Sequence, residues 1–344
     1  VETDTIYRIF SMTKPVTSVA AMMLYEEGCF RLSDPVADYL PEFSDSRVYV
    51  SGSALAPLTR PAAEPMRIWH LFTHTAGLTY GFLHQSVVDA LYRRAGFEWG
   101  CPAGFDLAAS CTAWAGLPLL FDPGSSWNYS VATDVLGRLV ELWSGMSLDA
   151  FFSQRIFGPL QMDETGFSVA PEHLERLAVL YGPAADGSIH PLADMAELGR
   201  RPPAVLMGGA GLVSTIGDYR RFAEMLLRRG ELEGTRLLGA RTVSYMGENH
   251  LPGGRDIAFF GHPISGEPDP GVGFGLGLSV VVDPARHRVV SSDGELGWGG
   301  AASTTFFLDP CEDLVVVWMT QLLPSSTIPV KARLQPLVYQ AIVD

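Results

Sequence analysis

The chain has 344 residues, 47% hydrophobic and 18% charged, with mean hydropathy +0.16, which excludes a disordered or fibrous protein and suits one large domain or two closely packed ones. Its formal charge of −14 comes with scattered basic residues, so neither nucleic acid nor an anionic membrane is expected as a partner. The longest apolar runs, Val16–Tyr25 and Leu314–Met319, fall short of the ~20 residues a bilayer span needs.

From Ile6 to Ser11 the chain reads as extended. Pro15, Val16, Val19, Ala20, Met23 and Leu24 then repeat at helical spacing and predict an amphipathic helix that opens near Ser11 and closes at Gly28. Asp34–Phe43 carries helix and stop signals. Ser51–Pro65, rich in Pro, Ala, Ser and Gly, predicts a loop or a domain boundary. The stretch from Ile68 to about Gly239 is mostly helical in pattern: Ile68–His74, Val131–Ser144, Ser147–Ile156, and Asp218–Arg229 with Asp218 as N-cap. After Gly271, the β-rich segments Leu276–Val282, Arg288–Ser292, Ala301–Leu308 and Leu314–Gln321, with Asp-Pro turns at 283–284 and 309–310, predict an antiparallel meander. Val330–Val343 has helical spacing and would cover one sheet face. The expected organisation is an α/β sheet domain from residues 1–60 and 205–344, with a helical domain, 61–204, inserted.

Several motifs lead nowhere. No G-x-S-x-G occurs. His70 and His74 have the spacing of a zinc pair but lack a following Glu or a third ligand, so no metal is expected. Gly297–Ala302 matches G-x-G-x-x-A but precedes no helix, and the sequon at Asn128 is a pattern common by chance. The four cysteines form no C-x-x-C pair, predict buried free thiols and point to no redox compartment. A cytoplasmic setting is the expectation, with periplasm or secretion left open because the chain begins at Val1.

The informative count is lysine. Of 24 basic residues only Lys14 and Lys331 are lysines, the other 22 being arginine. Arginine cannot give up its proton in a protein and lysine can, so a lysine kept three residues after Ser11 is a candidate base. In Ser11-Met-Thr-Lys14 both residues share the first turn of the predicted helix, where a nucleophilic serine needs a base within reach.

This segment resembles the S-x-x-K motif of the serine β-lactamase and penicillin-binding-protein superfamily, in the form found in class C enzymes and family VIII carboxylesterases. Four further segments agree in order. Leu71–Leu78 is similar to L-L-T-H-T-S-G-L, Tyr129-Ser130-Val131 to Y-x-N, Met207–Asp218 to a G-G-x-G-L-x-S-T loop, and Gly297–Ala301 occupies the place of K-T-G at the start of a strand. The resemblance implies a β-lactamase-like α/β fold, with an antiparallel sheet flanked by helices and the site at its junction with the helical insert. It implies Ser11 as nucleophile, Lys14 and Tyr129 as the acid-base pair, the backbone N–H groups of Ser11 and Ala301 as oxyanion hole, and no cofactor. Trp298, Gly299, Gly300, Ser130 and Val131 would line the substrate, and Trp127 and His250 are further cleft candidates.

Two departures bear on the substrate. Val131 cannot donate a hydrogen bond where the family has Asn, and Trp298 replaces the cation that would meet a substrate carboxylate. An indole there suits an uncharged ester, so hydrolysis of short-chain carboxylic esters is expected, with weak β-lactamase side activity. A β-lactamase or D-alanyl peptidase, an acyltransferase, and a non-catalytic binding protein are the alternatives, and oligomeric state is left open. Relatives place a helix and two strands before S-x-x-K, whereas ten residues precede Ser11, so an open apolar edge at Leu314–Gln321 and a longer natural protein are expected.

Overall fold

The computed structural model describes residues 1–261 and 270–343. Tyr7–Arg8 form a two-residue strand, β1. A single 3₁₀ turn, Phe10–Met12, leads into helix α1, Thr13–Glu26, which ends before Gly28 at φ +79°. The periodicity predicts one buried face, but every residue from Thr13 to Leu24 is buried, because α1 threads the core. Its small residues make that possible: Ser18 packs against Gly277 and Thr17 against Gly208, where added Cβ atoms would come within 2.0 and 3.1 Å.

The expected loop at 51–65 is instead half of a hairpin, β2 (Arg47–Ser53) paired with β3 (Ala56–Pro61), with an irregularity between Tyr49 and Ser51. The alternating Val48, Tyr49 and Val50 supply the strand propensity that the Pro and Gly content of the following stretch obscured. The helical middle follows, with α2 (Ile68–Phe72) and α3 (Ala132–Ser144) packed together, α3 also lying against α1. Leu148–Phe152 continues into a π-helical turn, Ser153–Phe157.

Strand β4 (Val213–Ser214) pairs with β1 and leads into helix α4, Ile216–Leu227. The N-cap of α4 is Thr215, not Asp218: Thr215 Oγ1 accepts from the Asp218 N–H at 3.2 Å. Asp218 lies inside the first turn, and its carboxylate accepts from Glu164 N–H and the Thr165 hydroxyl.

The C-terminal region is the expected meander: β5 (Val272–Phe274), β6 (Ser279–Val281), β7 (Leu296–Gly299), β8 (Thr305–Asp309) and β9 (Leu314–Trp318), each antiparallel to the next. The strand expected at 288–292 is absent. Asp283 caps a short helix, Pro284–His287, and Arg288 turns left-handed, which ends any extended run. At the sheet edge, Leu314–Val317 of β9 are half-buried and Trp318 is 40% exposed. Helix α5, Val330–Tyr339, covers β7 and β8: the Tyr339 ring stacks on Phe307, and its hydroxyl bridges the buried Glu295 and Asp309. Gln335 also donates to Glu295, whose carboxyl burial pushes up.

One apolar cluster runs from Tyr7 to Met319 through both the helix-rich and the strand-rich segments, so the junction between them is a packed core. All four cysteines are free, but only Cys111 is buried and Cys311 is exposed, against the expectation of four buried thiols. No helix among the described residues is long and apolar enough to cross a membrane.

Candidate active site

Ser11 occupies the 3₁₀ turn ahead of α1, directly after Phe10 at φ +42°. A left-handed non-glycine residue costs energy, and such strain collects where a side chain must be presented in a fixed direction. Lys14, one helical turn on, is 1% exposed, and its Nζ lies 3.4 Å from Ser11 Oγ. The Tyr129 hydroxyl donates to the same Oγ at 2.6 Å. The serine, amine and phenol that the sequence motifs singled out therefore meet at one oxygen.

The motifs around them act as supports. Lys14 Nζ donates to the Gly209 carbonyl at 2.7 Å, and Thr17 donates to that of Gly208 at 2.6 Å, so the glycine-rich loop seats the first turns of α1. Gly209 must be glycine, since a Cβ there would stand 2.7 Å from Asp134 Oδ2 and 2.9 Å from the Tyr80 hydroxyl. The stretch containing His74 backs Tyr129. The two rings are 5.0 Å apart, and burial, then the neighbouring Lys14, hold the His74 imidazole well below its ordinary range. Asn128 is 3% exposed and donates to Leu78 O, Thr79 Oγ1 and Tyr129 O, so its amide fixes the backbone that presents Tyr129.

Sequence reasoning missed Asp134 and Tyr80. Asp134 is fully buried in the first turn of α3, accepts from Gly209 N–H at 2.8 Å and meets the Tyr80 hydroxyl at 3.3 Å. Burial pushes its carboxyl up, against the pull of Lys14. Lys14 Nζ also lies over the rings of Tyr129 at 4.4 Å and Tyr80 at 5.2 Å, so the amine sits in an aromatic cage with one carboxylate behind it. An acidic residue five positions after Tyr129 was the available signal.

The expected substrate-lining residues divide. Trp298 is half-buried in β7, 5.6 Å from the Tyr129 ring and edge-on to Phe274 at 5.1 Å, which places its indole beside Tyr129. It lies within β7, and Gly299 closes the strand where the sequence suggested a beginning. Gly300 answers a structural need instead: a Cβ there would fall 2.4 Å from the Ile9 carbonyl, so the glycine lets the end of β7 lie against the segment before Ser11. Ala301 follows in the next turn and packs with Phe10 against one small apolar cluster, which brings it beside the nucleophile's segment. Ser130 and Val131 follow Tyr129 in the chain and are as buried as it is. Ser130 is fully buried with its hydroxyl engaged by His74 Nδ1 at 3.2 Å, and Val131 is buried at the start of α3. Trp127 is buried behind Tyr129, and the His250 ring is held by the Tyr245 carbonyl at 2.7 Å. His70 Nδ1 accepts from the Arg67 N–H at 3.0 Å.

The chain matches the Beta-lactamase family over residues 1–339. Protein Rv1367c of Mycobacterium tuberculosis is 38% identical over 336 residues, covering 96% of this chain and 80% of its own length. Esterase EstB of Burkholderia gladioli is 33% identical over 335 residues, covering 92% of this chain and 77% of its own. The solved structure of EstCE1, a hydrolase with promiscuous acyltransferase activity, superposes with a TM-score of 0.80 at 27% identity, over 97% of this chain and 84% of its own. The chain belongs to the Beta-lactamase family and carries the α/β fold of the serine β-lactamase and penicillin-binding-protein superfamily.

Proposed function

We propose that the protein hydrolyses short-chain carboxylic esters in two steps through an acyl-enzyme on Ser11. The observation that carries this reading is the convergence of Tyr129 and Lys14 on Ser11 Oγ, at 2.6 and 3.4 Å. As Oγ attacks the ester carbonyl, its proton passes to Lys14 in its uncharged amine form, and the backbone N–H groups of Ser11 and Ala301 receive the charge that develops on the carbonyl oxygen. Tyr129 hands its proton to the leaving alkoxide and regains one from the water that attacks the acyl-enzyme, while Lys14 returns the first proton to Ser11 Oγ, freeing Ser11 and the carboxylic acid. No metal or cofactor enters these steps.

Ester preference rests on Trp298. A β-lactam or peptide brings a carboxylate that a cation would hold, and an indole supplies an apolar wall instead. The comparison that tests this is turnover of p-nitrophenyl butyrate against nitrocefin, in the native protein and in Ser11→Ala. The reading expects strong ester turnover, at most weak nitrocefin cleavage, and loss of both in Ser11→Ala. Nitrocefin as the better substrate would make it a β-lactamase, and acyl transfer to an added alcohol outpacing hydrolysis would make it an acyltransferase.

A further inference from the structure

Tyr129 is one end of a run of aromatic rings that leads away from Ser11. Tyr80 lies 5.2 Å from it, Phe82 stacks on Tyr80 at 4.8 Å with planes 23° apart, and Trp99 stacks on Phe82 at 4.7 Å with planes 11° apart. Exposure rises along the run, from 5% at Tyr129 and 7% at Tyr80, through half-buried Phe82, to 54% at Trp99.

The outer end is built, not loose. Phe82 lies in the 3₁₀ turn Gly81–Leu83, and Gly81 lies so close to the segment before Trp99 that a Cβ would be 2.2 Å from the Phe97 carbonyl. Arg93 donates to the Gly81 carbonyl at 2.5 Å, and His84 meets Glu98 at 3.1 Å. Phe97 is 4% exposed and anchors that segment against Phe105 and Trp114. A large indole held half in water, on a stack whose other end touches Tyr129, leaves apolar area open to a planar ligand.

We propose that this ladder binds a flat, apolar aromatic group carried by one half of the substrate ester, the other half being small. The inference rests on the reading of Ser11 as the acylated residue. Offset-stacked rings favour a planar partner, and Lys14 already lies over Tyr129 and Tyr80, which leaves the outer rings, Phe82 and Trp99, for it.

Three esters test it: methyl butyrate, methyl 2-naphthoate with the ring on the acyl half, and 2-naphthylmethyl butyrate with the ring on the alcohol half. For at least one naphthyl ester, Trp99→Ala and Phe82→Ala are expected to lower kcat/KM relative to methyl butyrate by about 2- to 10-fold, mainly through KM, and Trp99→Phe to recover part of the loss. The ester that responds identifies which half lies on the ladder. Ratios unchanged in both alanine variants, with the native enzyme active, overturn the ladder alone. No turnover of any of the three esters by the native protein overturns the ladder together with the Ser11 reading.

Discussion

Lys14 Nζ donates to the carbonyl of Gly209, 195 positions away in the chain, at 2.7 Å, and so is held 3.4 Å from Ser11 Oγ. The amine is thus fixed from behind by a loop of glycines while its front faces the alcohol. A guanidinium could keep the hydrogen bond to Gly209 but could not take a proton. Lys14→Arg is therefore expected to cost at least about 100-fold in kcat/KM for p-nitrophenyl butyrate, the scale of a lost general base. Activity within tenfold of native, in a variant with a native circular dichroism spectrum, would contradict the proposed role.

Gly209 offers a test that leaves every reacting group in place. A methyl there must push against the Asp134 carboxylate and the Tyr80 hydroxyl, and the carbonyl that holds Lys14 moves with it. Because displacement of a positioned group by about 1 Å can cost about 100-fold, Gly209→Ala is expected to lose activity on that scale while still folding. Unchanged kcat/KM would mean that the loop does not position the amine.

The buried histidines set a pH dependence of stability. Burial, with Arg67 nearby, pulls the His70 imidazole from 6.5 down to about 4. The unfolded chain takes up this proton near 6.5 and the native protein only near 4, so the unfolded state binds more protons in that window and native stability falls as pH drops through it. At about 1.4 kcal/mol per pH unit, His70 accounts for a loss of about 3 kcal/mol between those pH values. Denaturant melts should show His70→Gln losing about that much less stability than the native protein between pH 7 and 4. Equal losses would contradict the assignment.

Much of the site was legible because its chemistry leaves marks on residue choice. Lys14 stood out as one of two lysines, whereas Lys331 is a half-exposed partner of Glu295 at 3.4 Å. Ser11, Tyr129 and the glycine loop were readable because each needs a particular residue type at a particular spacing. Asp134 and Tyr80 escaped because a carboxylate and a phenol next to a helix start look like solvated residues until the fold buries them. Ser130 escaped in the other direction: its motif position suggested a substrate contact, and its hydroxyl turned out to serve His74. The hairpin at Arg47–Pro61 was hidden by composition, and Thr215 rather than Asp218 as the cap of α4 reflects a boundary shift of about three residues. The long-range pairings of the meander followed from its turns, since each strand pairs with the next in sequence.

In the proposed reading, Trp298 carries the distinction between esters and β-lactams. Trp298→Lys restores a cation beside Tyr129 while removing the edge-on contact with Phe274. It is expected to lower KM for nitrocefin, which bears a carboxylate, by about 10-fold, on the scale of one charge-assisted hydrogen bond, and to raise KM for p-nitrophenyl butyrate. If nitrocefin binding is unchanged, the indole is not what excludes carboxylates.

The most direct measurement is intact-protein mass spectrometry after brief exposure to p-nitrophenyl butyrate, followed by peptide mapping. The account predicts a single butyryl adduct on the peptide containing Ser11 in the native protein, prolonged in Tyr129→Phe and absent in Ser11→Ala. An adduct that persists in Ser11→Ala, or maps to another residue, would contradict it.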